Sequence, residues 1–268
     1  MKNITVSVVV STYNWPEALE LCLLSIANQT VLPNEVVVGD DGSRDETRQL
    51  IDRMRPQLPY KLIHVWQEDK GYRLAAICNR ALARSTSDYV IKIDQDIIMD
   101  PHFVEDHIRH AERGYYISGS RAKLTEPFTK KILASKNYKL SPFTCGVIRK
   151  FNAMRIPWLT KFFYKYMLNK LDRGCNMSFW RDDLYAVNGY DGDMVGYGSE
   201  DTDLSARIRA LGVKKRTIKF SCIEYHIWHK ETESKSDNAL RSHNIALRES
   251  NSATGRIRIE NGIDKYLE

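Results

Sequence analysis

Asp94 and Asp96 stand one residue apart at the end of the run Tyr89-Val90-Ile91-Lys92-Ile93. A run of that composition reads as a buried strand, and side chains at i and i+2 of an extended segment point the same way. The two carboxylates can therefore converge on one cation, or on the phosphates that a cation carries. Further along, Glu200, Asp201 and Asp203 open a helix behind a Gly196-Tyr197-Gly198 turn. The helix dipole and the free N–H groups of a first turn stabilise ionised carboxylates there. Capping needs only one carboxylate. A carboxylate at a crevice rim, facing a metal-bound electrophile, suits general-base activation of an acceptor hydroxyl. Tyr225-His226-Ile227-Trp228-His229 sets two imidazoles three residues apart, so either can complete the coordination of a metal after Asp96. Each of these patterns is common by chance when met alone, and their joint occurrence carries the argument.

The elements that must position these groups alternate strand and helix. Val6 to Ser11 is β-branched and apolar. Pro16 opens a helix to about Asn28, with Leu19, Cys22, Leu23 and Ile26 on one face. Glu35 to Val38 is a second strand, and Ser43-Arg44-Asp45-Glu46 has the form of a capping box for a helix that Pro56 ends. Lys61 to Trp66 is a third strand, followed after the Gly71 turn by a helix bearing Leu74, Ile77, Cys78, Ala81 and Leu82. The Tyr89 to Ile93 strand closes this half. Such an order predicts an α/β fold with a mainly parallel sheet flanked by helices, in which ligands sit at the carboxyl ends of the strands. Thr12 to Asn14, Asp40-Asp41 and Asp94 to Asp96 would all gather there. Beyond Pro101 the pattern predicts a helix to about Arg113, a strand at Tyr115 to Ser118, a helix from Glu200 stopped by Gly212, and a strand from Val213 to Cys222. After Lys230 it predicts a polar tail of helix and loop with a frayed end.

The 268 residues, 43% hydrophobic and 28% charged, are ordinary for a globular protein of one large or two fused domains. Five widely spaced cysteines without a Cys-x-x-Cys pair suggest neither a disulfide framework nor a zinc site, and fit a reducing cytoplasm. The N-terminal segment lacks the apolar core of a signal peptide, and nothing approaches about 20 continuous apolar residues, so no export by that route and no membrane span is expected. The net charge of +6 is uneven: between Arg121 and Arg173 there are thirteen Lys and Arg against two Asp and Glu, interleaved with aromatics from Phe128 to Tyr166. Basic residues among aromatics suit nucleic acid, an anionic membrane or a phosphate-bearing acceptor. No nucleic-acid-binding motif accompanies them, so nucleic acid ranks last and none is expected as a partner.

Val8-Val9-Val10-Ser11-Thr12-Tyr13-Asn14, then Val36-Val37-Val38-Gly39-Asp40-Asp41-Gly42-Ser43, then Asp94-Gln95-Asp96, then Glu200-Asp201, in that order, resembles the family 2 glycosyltransferases of the GT-A fold. Lys70-Gly71-Tyr72-Arg73-Leu74-Ala75-Ala76 and the Gly174-Cys175-Asn176-Met177-Ser178-Phe179 stretch look like bacterial chondroitin polymerase domains and a galactosyltransferase-type C-terminal region. The resemblance implies a Rossmann-like UDP-sugar-binding half over residues 1–100, an acceptor-binding and catalytic half over 101–230, and a polar extension over 231–268. It implies that Thr12, Tyr13 and Asp41 hold the uracil and ribose with Asp40 and Arg73 nearby, and that Asn14, Gly71, Asn79 and Gln95 line the same donor site. Asp94 and Asp96 would meet the nucleotide and its Mn²⁺ or Mg²⁺, Asp96 more directly, with His229 or His226 completing the shell. Asp201 would be the base and Glu200 would bind the acceptor.

The activity so implied is inverting transfer of a hexose or N-acetylhexosamine (galactose, glucose or their N-acetylamino forms) from a UDP-sugar. The acceptor would be a glycan or lipid-linked oligosaccharide in bacterial surface polysaccharide synthesis. Residues 121–173 would touch an anionic membrane at the inner face of the plasma membrane. Two other readings compete. A nucleotidylyltransferase would want a glycine-rich, basic loop where Ser11-Thr12-Tyr13-Asn14-Trp15-Pro16 has neither glycine nor lysine. An inactive GT-A-like glycan-binding module is disfavoured by the joint presence of Asp94, Asp96, Glu200 and Asp201.

Overall fold

The computed structural model describes residues 4–164, 172, 174–230 and 237–267. The first half runs β1 (Val6–Thr12), α1 (Pro16–Ala27), β2 (Glu35–Asp40), α2 (Asp45–Met54), β3 (Lys61–Trp66), α3 (Leu74–Arg84) and β4 (Tyr89–Asp94). It continues through β5 (Ile97–Met99), α4 (Phe103–His110), β6 (Tyr115–Ser118), β7 (Ser120–Leu124), α5 (Glu126–Ser135), β8 (Val147–Ile148), α6 (Lys150–Ala153) and α7 (Pro157–Phe163). The rest comprises β9 (Asn176–Trp180), α8 (Arg181–Ala186), α9 (Glu200–Ala210), β10 (Lys214–Thr217), β11 (Ile223–His226) and α10 (Asn238–Ala253).

Seven strands form one sheet in the order β10-β6-β9-β4-β1-β2-β3, parallel except at β9, which runs against both β4 and β6. Alternation within β1 explains why the sheet is covered on both faces. Val8 and Val10 pack with Leu19, Leu23 and Ile26 of α1, while Val9 points the other way to Ala75, Cys78 and Leu82 of α3 and to Leu204 and Ile208 of α9. The register sets Ser11 beside both Gly39 and Asp94 and Thr12 beside Asp40, so three strands end at one level. A second sheet, β5-β11-β7-β8, lies beyond that end.

Several expectations are corrected. The capping box does not form: Arg44 is the residue before α2 and makes no side-chain cap, because the Ser43 hydroxyl accepts the backbone N–H of Asn14 at 2.9 Å. The helix after Pro101 stops at His110. Val213 to Cys222 is not one strand, since β10 ends at Thr217 and left-handed Phe220 (φ 65°) and Cys222 (φ 51°) bend the chain across to β11 in the other sheet. The tail does not simply fray within its described residues. Asp237 caps α10, and Ile259 and Ile263 are buried, the latter against α3 and α9. The basic-aromatic stretch divides: Phe128 and Tyr138 pack beneath the second sheet, Phe163 stacks edge-on to Phe220, and Phe143, Phe151, Trp158 and Phe162 stand exposed. Tyr166 and Arg173 lie outside the described residues. Among those residues no helix is long and apolar enough to cross a membrane.

The polar joint that fixes α9 is Arg207, whose side chain is fully buried. It donates to Asp203 Oδ2 at 2.7 Å and to the carbonyls of Val187 and Gly189 at 2.9 and 2.8 Å, while Asn251 of α10 donates to the other Asp203 oxygen at 2.9 Å. Removing one partner of a buried pair leaves the other charge stranded. Arg207→Ala is therefore expected to lower the unfolding free energy by about 3–5 kcal/mol, read from urea denaturation; a loss below about 1 kcal/mol would contradict this role for the pair.

Candidate active site

A cluster able to hold a metal ion is built at the junction of the two sheets. After Asp94 the chain turns through Gln95 and Asp96 into β5, and β5 pairs with β11 so that Ile97 lies opposite His226. The next residue, Ile227, donates its N–H to the Asp96 carbonyl at 2.9 Å. That register brings Nε2 of both His226 and His229 to 3.2 Å from Asp96 Oδ2. One ligand atom from each of the three lies within 4.8 Å of the others. Asp96 is 7% exposed, and its Oδ1 has no hydrogen-bond partner among the described residues. Burial alone would raise the Asp96 pKa, but the two imidazoles outweigh it and hold the carboxyl below its ordinary value. Burial lowers His226, favouring the neutral ring that ligates metals. A carboxylate with two imidazoles and an orphaned buried oxygen fits a divalent cation, and the nitrogen donors favour Mn²⁺ over Mg²⁺. Both histidines converge, where the spacing alone left either open.

Asp94 does not join that cluster, contrary to the expected convergence of the two aspartates. The turn at Gln95 ends the strand alternation, and Asp94 Oδ1 instead accepts from Ser11 Oγ at 2.7 Å and from the ammonium of Lys92. Lys92 is 2% exposed in the middle of the sheet. Burial would lower its pKa, yet the charges of Asp94 and Asp201 more than offset this and raise it, keeping the ammonium charged.

At the donor side, Asp41 is buried and accepts from Gln67 Nε2 and from the Arg73 N–H at 2.8 Å; burial raises its pKa despite these bonds. Tyr13 is 47% exposed at the rim, its hydroxyl on Asp69 at 3.0 Å. Arg73 donates to the Glu68 carbonyl, and its Nε is buried without a partner among the described residues. Gly71 adopts φ 80° with open space where a side chain would stand. Thr12 donates to Gln95 Oε1.

Four residues expected to line the donor site serve chiefly to hold it. Asp40 has one oxygen on the Ser43 N–H at 2.8 Å and the other on His64 Nε2 at 3.0 Å. The Gln95 amide is spent on Thr12 and on both backbone polar groups of Tyr13. Asn14, left-handed at φ 45°, accepts from the Arg44 N–H at 2.9 Å. Asn79 is a clear correction: it is fully buried, and its carboxamide pairs with both backbone groups of Tyr190 at 2.7 and 2.8 Å.

The catalytic candidates begin α9, after Gly198 (φ 103°) and left-handed Ser199 (φ 77°). Glu200 is buried, and its Oε2, like Asp201 Oδ1, has no partner among the described residues. Burial and the adjacent Asp201 charge push Glu200 up to about 8. Burial also raises Asp201, partly countered by Lys92 and the Gly174 N–H. A Cβ on Gly174 would lie 2.0 Å from Asp201 Oδ2, so only glycine lets the carboxylate rest there. Asp203, third of the acidic run, faces Arg207 and is structural.

Three participants had no role in the sequence reading. Lys92 was signalled only as a lysine inside an apolar run. Tyr72 is raised by burial and then by the charges of Glu200 and Asp94, and its carbonyl accepts the Gly196 N–H at 2.9 Å, tying the donor loop to the loop before α9. Glu224, an acid within β11, is fully buried. Burial raises its pKa, and it accepts from Cys175 Sγ at 3.1 Å behind Asp94 and Asp96.

Known proteins resemble this chain in sequence and in fold. Residues 7–182 match the family described as glycosyl transferase family 2, and residues 158–230 match one described as the N-terminal domain of galactosyltransferase. Validoxylamine A glucosyltransferase of Streptomyces hygroscopicus subsp. limoneus is 30% identical over 232 residues, covering 77% of this chain and 48% of that protein. Chondroitin synthase of Escherichia coli is 24% identical over 250 residues, covering 87% of this chain and 36% of the other. The chain thus spans about half or less of the length of these relatives. A mannosyltransferase from Pyrobaculum calidifontis in complex with GDP-Man and Mn²⁺ superposes with a TM-score of 0.63 at 20% identity, over 94% of this chain and 64% of that one. S. aureus TarS in complex with UDP-GlcNAc gives 0.61 at 16% identity, over 94% and 69%. With strands ending at a common level and two acidic clusters gathered there, and with two thirds of its length matching one family, the chain belongs to the family 2 glycosyltransferases and has the GT-A fold.

Proposed function

We propose that this glycosyltransferase is metal-dependent and inverting, and moves a hexose or N-acetylhexosamine from a UDP-sugar to a hydroxyl of a glycan or lipid-linked acceptor in bacterial surface polysaccharide synthesis. The observation that carries the reading is the Asp96-His226-His229 cluster, set on the same strand-end crevice as Glu200 and Asp201, with Asp94 acting electrostatically on both groups. Relatives named for glucosyl transfer and for chondroitin synthesis, and fold neighbours bound to UDP-GlcNAc or to a nucleotide-sugar with Mn²⁺, support it.

Asp96, His226 and His229 would hold the cation, whose chemistry is to neutralise charge on the departing diphosphate. Asp41, Arg73 and Tyr13 would receive the nucleoside, held in place by Asp40, Asn14 and Gln95. Asp201 would accept the proton of the attacking hydroxyl: a raised pKa makes it a stronger base than a solvated aspartate. Glu200, pushed up to about 8 by burial and by Asp201, carries its proton at neutral pH and can donate a hydrogen bond to the acceptor. Attack from the side opposite the leaving group inverts the anomeric centre. The exposed aromatics Phe143, Phe151, Trp158 and Phe162, beside Lys150 and Lys161, support contact of the 121–173 stretch with an anionic membrane.

Melting curves with nucleoside diphosphates and UDP-sugars, with and without Mn²⁺, test the reading, because a ligand bound only by the native state raises the melting temperature. UDP is expected to raise it in a Mn²⁺-dependent way. Asp96→Ala should abolish that dependence, while Asp201→Asn should keep it and lower turnover about a hundredfold to ten-thousandfold. No shift with any nucleotide would sink the proposal. A second expectation concerns pH. Because the Glu200 pKa is raised in the folded state, the native form holds a proton that the unfolded chain has released above about pH 4.3. The stability so linked is complete below that pH and is lost as pH rises through about 8. Glu200→Gln should flatten the fall of melting temperature between about pH 5 and pH 8.5; an unchanged slope would contradict burial of an ionising Glu200.

A further inference from the structure

Asp172 lies two residues ahead of Gly174 and outside any helix or strand, yet its side chain is only 4% exposed. Among the described residues its carboxylate accepts from the Lys215 ammonium of β10 at 2.8 Å, from the Arg209 guanidinium of α9 at 3.0 Å and from the Tyr116 hydroxyl of β6 at 3.3 Å. Arg209 also donates to that hydroxyl at 2.6 Å. The Lys215 side chain is 5% exposed, so the Asp172–Lys215 pair is a buried one, and breaking it from either side strands a charge. Charge-assisted bonds to three donors fix the chain that carries the carboxylate. Gly174 is thereby held between two anchors, Asp172 before it and β9 after it, whose pairing with β4 begins at Asn176. Arg209 follows Asp201 on α9, so the same clamp ties the approach to β9 to the helix that bears the base.

We propose that Asp172 is a positioning residue: it holds the Gly174 N–H on the Asp201 carboxylate and so keeps the base in place for the proton of the acceptor hydroxyl. Gly174 touches Asp201 in two ways, through that N–H and through the room left by its missing side chain. Burial is the largest influence on Asp201 and raises its pKa. The Gly174 N–H favours the ionised form and lowers it, while the negative charge of Asp172 raises it more weakly. Asp201 otherwise faces Glu200, the Lys92 and Asp94 charges of β4, and Tyr72, Cys78 and Tyr190. All of these remain in a variant of Asp172, so the comparison isolates the clamp. The role of Asp201 as base rests on the transferase reading; the contacts from Asp172 through Gly174 to Asp201 do not.

Carbon-13 NMR titration of the Asp201 carboxyl and hydrogen exchange of the Gly174 amide test this on the full chain without nucleotide, the Asp201 signal being identified by its loss in Asp201→Asn. Asp172→Asn is expected to speed Gly174 exchange at least about tenfold and to raise the Asp201 midpoint by about half a pH unit. The variant should keep its Mn²⁺-dependent melting shift with UDP. Removing the Asp172 charge without moving Gly174 would lower the midpoint, so the sign separates positioning from a simple field effect. If Asp172→Asn fails to fold because Lys215 is left unpaired, Asp172→Asn/Lys215→Met removes both charges of the buried pair and is read in the same way. A lowered or unchanged midpoint overturns the proposal, as does unchanged Gly174 exchange. Loss of the UDP shift in a folded variant overturns it too, since Asp172 would then support the crevice as a whole. A wild type that shows no UDP shift sinks the transferase reading instead, and the NMR result is read independently of it.

Discussion

Three carboxylates, buried Glu200 and the partly exposed Asp94 and Asp201, share the field of one buried ammonium, that of Lys92, and the crevice depends on that balance. Like charges about 4 Å apart repel by roughly 4 kcal/mol even at an effective dielectric of 20, and burial adds the cost of desolvating each one. Lys92 bonds Asp94 directly and lowers the pKa of both Glu200 and Asp201 against the larger effect of burial. What Lys92 cannot neutralise is met by protonation, which is why Glu200 is pushed up to about 8. The central position of β4, between β1 and β9, keeps this ammonium where solvent cannot replace it.

The surrounding loops are held by polar groups that a ligand would otherwise claim. Asp40, Asn14 and Gln95 bind backbone and neighbouring side chains, so the ends of β1 and β2 present a preformed surface. Such preorganisation would leave Tyr13, Asp41 and Arg73, in the proposed role of donor contacts, to bind without the entropy of ordering a loop. On the opposite side Arg207 and Asn251 clamp Asp203. The start of α9 can then carry two carboxylates in an unfavourable environment, because the rest of the helix is fixed by buried bonds.

The fold was legible because its signals are local. Unbroken runs of valine in β1 and β2, the apolar face of α1 and glycines at loop ends define strands and helices by composition, period and backbone freedom, and the order of strand-end motifs marked the crevice. Where expectation failed, a contact from elsewhere in the chain had intervened. Ser43 satisfies Asn14 instead of capping α2, and Asn79, the polar residue among the buried apolar ones of α3, turns inward to the Tyr190 backbone. The tail after Lys230 is polar on average, but Ile259 and Ile263 are enough to seat it.

The sequence by itself determined the strand and helix order, the gathering of acidic groups at the strand ends and the family. Only the tertiary structure decided which groups meet. Asp94 and Asp96 look equivalent along the chain, yet the turn at Gln95 sends one to Lys92 and the other to two imidazoles on a strand of another sheet. The Asp96 half of that partition depends on the β5–β11 register, which joins residues more than a hundred positions apart, beyond the reach of any local period.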